Sequence, residues 1–206
     1  MEIQRIYIPS VFTNCYVLSD PDSGAAAVID PGAGDPGTLE ALRKILADGN
    51  LTLRDIFLTH GHYDHVGGVA AVKALYPQAQ VHLHPEDAGK SSTLFPTAQL
   101  GWVSLWREGD VVKLGGLNVE VIHTPGHTKG SVCLRCRDVL FTGDTLFRGS
   151  CGRTDFPGGD SDEMNASLAR LGRLEGDFRV LPGHEGESTL SWEREHNYYL
   201  KQAMAE

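Results

Sequence analysis

A chain of 206 residues with 41% hydrophobic content is long enough to bury a sizeable core. Its formal charge of −9, from 27 acidic against 18 basic residues, argues against a nucleic-acid partner, because binding phosphates needs clustered Lys and Arg. No apolar run reaches the roughly 18 residues of a membrane span, the N-terminus has no basic leader, and four cysteines are few for a secreted scaffold, so a cytoplasmic chain with free thiols and no membrane partner is expected.

In chain order, hydrophobic periodicity predicts a strand over 5–19, a turn at 20–24, a strand from 25 into Asp30, a helix over 38–49 and a strand over 53–59. A helix follows from about Val66, with apolar residues at Val69, Val72 and Leu75 or Tyr76, and Pro77 stops it. A short strand comes next at 80–84. Alternation then marks strands over 117–124 and 130–144, followed by a helix over 161–177, a strand over 178–182 and a closing helix over 191–204. No repeat or Gly/Ser/Pro-rich linker intervenes, which predicts one domain over 1–206. Mixed strands and helices, with two stretches of consecutive strands, favour stacked layers of sheet and helix over a parallel wound sheet.

The stretch Thr59 to His65, THGHYDH, places three histidines and an aspartate directly after the apolar Ile56-Phe57-Leu58. With 9 His, the pattern H-x-H-x-D-H arises by chance in roughly one such chain in a thousand. Clustered imidazoles contribute little to a core and repel one another when protonated, so a metal is the better reason for them. An extended chain points His60, His62 and Asp64 one way, and a turn at Asp64 sends His65 to a second position, which favours two metals. Gly61 relieves crowding between the first two histidines. One loop cannot close a coordination sphere, and three further candidates each follow an apolar strand and a Gly: His127 in HTPGHT, Asp144 in LFTGDT and His184 in VLPGH.

The set THGHYDH, HTPGHT, GDTLF and PGH, running nearly end to end from VIDPG around Asp30 to EREHN, resembles the metallo-β-lactamase fold and, within it, the glyoxalase II-like hydrolases. The resemblance implies an α/β chain folded as a four-layer αββα sandwich, with a binuclear site at one edge of its sheets. It places His60, His62 and His127 on one metal, Asp64, His65 and His184 on the other, and Asp144 between them, with Asp64 and Asp144 as the catalytic carboxylates. Two divalent ions are implied, zinc first, with iron or manganese also suited to imidazole and carboxylate ligands. Two dications about 3.5 to 4 Å apart make hydroxide from water near neutrality, which attacks a carbonyl. A thioester of the S-lactoylglutathione type suits a site without an added acid, because a thiol with a pKa near 8.5 leaves as thiolate. Asp30 and Thr59 are candidates to orient the imidazoles.

The segment after Asp144 reads GDTLFRGSCGRTDFPGGD, and only some twenty residues follow His184, so the added helical domain that holds glutathione in longer relatives is expected to be missing. Arg153 is a candidate to bind a substrate carboxylate, with a salt bridge to Asp155 or Asp160 as its structural alternative. GRTDF also resembles persulfide dioxygenases of the same fold, whose single iron would match His60, His127 and Asp144. A metal-binding protein without turnover is a third reading. Cys133 and Cys136 form C-x-x-C in an alternating strand, where residues three apart face opposite sides, so neither a zinc nor a redox role is expected. His82 and His84 read as half-buried strand histidines, His123 as a neighbour of the site, and Phe95, Trp102 and Trp106 as core or as an apolar wall over it.

Overall fold

A computed structural model describes residues 1–88 and 103–205. The first sheet takes its strands in sequence order: β1 (Glu2–Ile8), β2 (Thr13–Asp20), β3 (Ala25–Ile29), β4 (Thr52–Phe57), β5 (Gln80–Leu83) and β6 (Ser104–Leu105). The second runs β14 (Ser188–Thr189), β13 (Arg179–Pro182), β10 (Val139–Gly143), β9 (Val132–Cys136), β8 (Leu117–His123) and β7 (Val111–Leu114). A small hairpin, β11 (Leu146–Phe147) and β12 (Ser150–Cys151), follows β10.

Three apolar layers hold these sheets. Alternation along β2 sends Cys15 and Val17 to one face and Tyr16 and Leu18 to the other. The first face packs with Ile56, Leu58 and Val81 against α1 (Pro36–Asp48) and α3 (Val69–Leu75) through Leu42, Leu46, Val69 and Val72. The second meets Leu134, Phe141 and Leu181 between the sheets, around the buried Phe57 and Trp106. On the far face of the second sheet, Ile122, Leu140 and Val180 pack against α4 (Ser161–Gly172), α5 (Leu190–His196) and α6 (Tyr198–Ala205) through Leu168, Leu171, Leu190 and Leu200. Helices, sheet, sheet, helices is the four-layer αββα order expected. Cys133 lies in the outer layer and Cys136 between the sheets, on opposite faces as their spacing requires.

Caps set the helix starts. Asp35 accepts the Thr38 amide at 3.0 Å with Pro36 in the first turn, so α1 begins two residues before its apolar pattern does. Asp160 caps α4 by accepting the amides of Asp162 and Glu163. Several expected boundaries move. The strand expected over 5–19 is a hairpin, β1 and β2, broken where Pro9 precedes Phe12, which has a φ of 57°. The alternating run over 130–144 divides into β9 and β10 at Arg137, φ 55°. The helix expected from Val66 starts at Tyr63 as α2 (Tyr63–Val66), and the closing helix is interrupted at Asn197, whose side chain caps α6. The edge strands β6, β7, β11, β12 and β14 are short and half-exposed, so apolar periodicity does not register them. Phe95 and Trp102 lie outside the described residues.

Candidate metal centre

The seven residues singled out from sequence converge at one edge of the two sheets. His60, His62, Asp64 and His65 follow β4; His127 follows β8; Asp144 follows β10; His184 follows β13. One nitrogen or oxygen from each member of three sets lies within 4.8 Å of the others: His60, His62 and His127; His60, His65 and Asp144; Asp64, His65 and His184. Asp64 and His65 sit in the first turn of α2, where adjacent residues diverge by about 100°, so the turn separates them as expected, in a helix that starts at Tyr63 rather than near Val66.

Each imidazole is oriented by its second nitrogen. His127 Nδ1 lies 2.7 Å from the Arg153 carbonyl and His184 Nδ1 2.8 Å from the Phe12 carbonyl, acceptors that require Nδ1–H and turn Nε2 toward the cluster. His65 Nδ1 lies 2.9 Å from Asp30 Oδ2. The Thr59 hydroxyl donates to Asp30 Oδ2 at 2.6 Å, so its oxygen is left to accept from His60 Nδ1, 3.1 Å away. Asp30 and Thr59 therefore orient two histidines, as their sequence positions suggested. His62 differs: its Nδ1 faces His127 Nε2 at 2.8 Å.

The inward atoms are those of a cation site. His60 Nε2, His65 Nε2 and Asp144 Oδ1 are buried without a hydrogen-bond partner, although His65 Nε2 and Asp144 Oδ1 stand 3.3 Å apart. Leaving three buried polar atoms unpaired is costly unless a metal takes their lone pairs. Asp144 Oδ2 lies 3.4 Å from both His127 Nε2 and His184 Nε2, reaching between the two halves of the cluster. Gly183 permits this approach, because a Cβ there would stand 2.5 Å from Asp144 Oδ1 and 2.6 Å from His65 Cε1. Gly143, φ 47°, lets the chain turn from β10 into Asp144 against the Thr59 side chain.

Electrostatics divides the histidines. Burial pushes His60 well below the ordinary imidazole value, and burial with the neighbouring His127 pushes His62 down to about 4, so both are neutral ligands near pH 7. His65 is buried too, yet the charges of Asp144 and Asp30 hold its pKa well above the ordinary value. Asp144 and Asp64 likewise outweigh burial at His184 and raise it to about 10. His65 and His184 in turn hold Asp144 well below the carboxylate range despite its burial. A field that retains protons on two imidazoles favours a dication in the same place.

Two positioning groups have little sequence signal. Asp87 accepts the Gly61 amide at 2.8 Å, the Thr128 hydroxyl at 2.8 Å and the Gly130 amide at 3.0 Å, tying the His62 loop to the His127 loop. Asn14, 2% exposed, donates to the carbonyls of Pro182 at 3.0 Å and Glu185 at 2.9 Å, either side of His184. The Asn14 amide also donates to the Gly183 carbonyl at 2.7 Å, and the Tyr16 hydroxyl to that of Pro182 at 2.8 Å. Asn14 lies inside an apolar strand pattern, where only its buried amide hints at such a task.

The remaining candidates fall outside the cluster. His82 pairs with Asp55 at 2.7 Å and stacks on Trp106. His84 stacks on His123, whose Nε2 donates to the Lys129 carbonyl. Arg153 is held by Asp155, at 2.6 and 2.7 Å, and lies over the Phe156 ring; it borders the cavity of about 500 Å³ that opens on His62, Asp144 and His184. All four cysteines are free, and burial pushes the Cys133 thiol up to about 11.

This fold and this cluster define a metal-dependent hydrolase class. The metallo-beta-lactamase superfamily pattern matches residues 8–184. An uncharacterised protein of Mycobacterium tuberculosis is 37% identical, over 91% of this chain and 92% of its own. Hydroxyacylglutathione hydrolase GloC of Haemophilus influenzae is 34% identical, over 97% and 98%. Among solved structures, the BLEG-1 B3 metallo-beta-lactamase superposes with a TM-score of 0.83 at 34% identity, covering 97% of this chain and 99% of that one. ETHE1 from Myxococcus xanthus gives 0.82 at 29%, over 96% and 84%, and a relative in a di-iron-bound form gives 0.79 at 34%, over 95% and 99%. The chain belongs to the metallo-beta-lactamase superfamily.

Proposed function

We propose that the protein is a binuclear metallohydrolase that cleaves small thioesters of the S-lactoylglutathione type. The observation that carries this reading is the pair of ligand sets joined at Asp144, with bare nitrogens and an unpaired carboxylate oxygen aimed at one space. His60, His62 and His127 would hold one ion, Asp64, His65 and His184 the other, and Asp144 both. When bound, two divalent ions lower the pKa of water and polarise a carbonyl, and zinc is the expected metal.

The chain's own residues do the rest. Asp30 and Thr59, with the carbonyls of Phe12 and Arg153, keep the imidazoles aimed inward, so little reorganisation accompanies reaction. Phe147 and Phe156 wall the cavity beside Asp144, keeping water from one side of a bound acyl group. Thioester hydrolysis bonds water's oxygen to the acyl carbon and breaks the C–S bond, with the electron pair leaving on sulfur. A thiolate needs no proton to depart, so the step requires no dedicated general acid. Similarity to two hydroxyacylglutathione hydrolases supports the substrate class: GloC, and a Tolumonas auensis enzyme that is 39% identical over 86% of this chain and 64% of its own. Free buried cysteines suit a reducing, cytoplasmic setting, and no helix among the described residues is long and apolar enough to cross a membrane.

The PGHEGEST segment, which brings His184 beside Asp64 and Asp144 at 3.2 and 3.4 Å, supports hydrolysis over a mononuclear iron oxygenase of the same fold, whose iron would use His60, His127 and Asp144. Assaying thioester hydrolysis beside persulfide-dependent oxygen uptake, on protein of quantified metal content, tests this. Hydrolysis with about two metals per chain is expected; oxygen uptake with one iron would overturn it.

A further inference from the structure

A second groove, of about 520 Å³, meets the metal cavity at His184 and Glu185 and runs along β1 and the turn after it. Its floor and wall are Arg5, Tyr7 and Phe12. Arg5 and Tyr7 alternate with the buried Ile6 and Ile8, so both project from the face of β1 opposite the first apolar layer. Tyr7 is 50% and Phe12 70% exposed, large apolar surfaces beside the cluster. Phe12 takes a left-handed φ of 57° while its carbonyl is spent on His184, and so its ring is presented next to a ligand.

The cations of the two clefts differ. Arg153 in the metal cavity is neutralised by its two-pronged pair with Asp155. Arg5 has no carboxylate partner among the described residues. Arg148, whose guanidinium lies over the Trp192 ring, brings a second cation near the end of the groove, with its Nη1 4.0 Å from where a Cβ on Gly186 would stand. In a protein of formal charge −9, such a place is where an anionic substrate group would be held.

We propose that this groove is a subsite for the carboxylate-bearing arm of the substrate, with Arg5 taking the carboxylate and Tyr7 and Phe12 lying against its methylenes. Resting on the thioester reading, the subsite determines specificity without touching the reacting bond. The carboxylate can belong to the thiol half or to the acyl half, and both arrive beside His184.

Metal-loaded wild type, Arg5→Gln and Arg5→Glu should be compared on three thioesters: one neutral throughout, an ester of 3-mercaptopropionate with a neutral acyl group, and a succinyl ester of a neutral thiol. Arg5→Gln is expected to lower kcat/KM about ten-fold, through KM, for one of the two carboxylate esters, with the neutral ester unchanged; Arg5→Glu should lose more on that same ester. Which ester responds identifies the arm. Equal losses on the neutral ester, or no loss on either carboxylate ester, would overturn the subsite. If wild type turns over no thioester, the hydrolase reading fails, and the groove is judged by calorimetry: 3-mercaptopropionate should bind more tightly than mercaptoethanol to wild type but not to Arg5→Gln, and equal preference in the two proteins rejects it.

Discussion

The two halves of the metal cluster are built differently. His60, His62 and His127 are buried to within 4% of complete, and two of them come from one loop at the end of a fully paired strand. Asp64 and His184 keep 33% and 25% of their side chains exposed, and His184 sits on a loop secured by the N-terminal hairpin. The first half is made by local chain geometry and enclosure; the second depends on two remote segments docking. Charge follows the same division, since burial keeps His60 and His62 neutral while carboxylates hold His184 near a pKa of about 10. The first half should therefore hold its ion more tightly and the second should be the one that exchanges.

The largest effect expected is from Asp144→Ala, which removes the group shared by both halves: metal content by emission spectrometry and turnover should fall to background together. Wild-type rates in a metal-depleted variant would rule out the mechanism.

His184→Ala should release about one metal per chain and spare the other. The same variant separates the halves by pH in metal-free protein. A His whose folded pKa is raised stabilises fully below its unfolded value near 6.5 and ceases to as pH climbs through about 10; His62, lowered to about 4, costs stability as pH falls from 6.5 toward 4. Thermal unfolding of wild type should therefore weaken at both ends, and His184→Ala should flatten only the alkaline limb. An unchanged alkaline limb would refute the assignment.

Asn14→Ala is expected to be milder. It removes the side-chain donor to the Glu185 carbonyl and one of two to that of Pro182, which keeps the Tyr16 hydroxyl, at a cost of about 1–3 kcal/mol in unfolding free energy. The more easily exchanged metal should weaken while the other stays, and equal weakening of both would show that the hairpin does not act through His184. The smallest effect is predicted for Cys133→Ser with Cys136→Ser: metal content should not change, since the thiols face opposite layers and burial keeps Cys133 protonated. A stoichiometric loss of metal would refute that.

The legibility of this molecule in its sequence tracks the same division. THGHYDH is readable because four ligands crowd into seven residues, and His127, Asp144 and His184 because each follows an apolar strand and a glycine. The mixture of strands and helices indicated stacked layers, while the αββα order came from the family resemblance; in the structure the opposite faces of β2 enter different cores. Asn14 and Asp87 were not readable, because, the Thr128 hydroxyl on Asp87 apart, the partners that place them are backbone groups that any residue supplies, 168 and 171 positions away for Asn14 and 26 and 43 for Asp87. Edge strands of two to four residues likewise bury too little to impose a period.

The bond from His184 to the Phe12 carbonyl joins residues 172 apart in sequence. During synthesis, the histidine-rich loop leaves the ribosome more than a hundred residues before its last ligand does, so the nascent chain passes through a stage that offers only part of the coordination set. Such a partial set of imidazoles and carboxylates discriminates poorly among divalent ions, and the late docking of the His184 loop on the N-terminal hairpin completes the set that would select among them. An N-terminal fusion that keeps β1 from reaching its place would then yield folded protein with the wrong cargo.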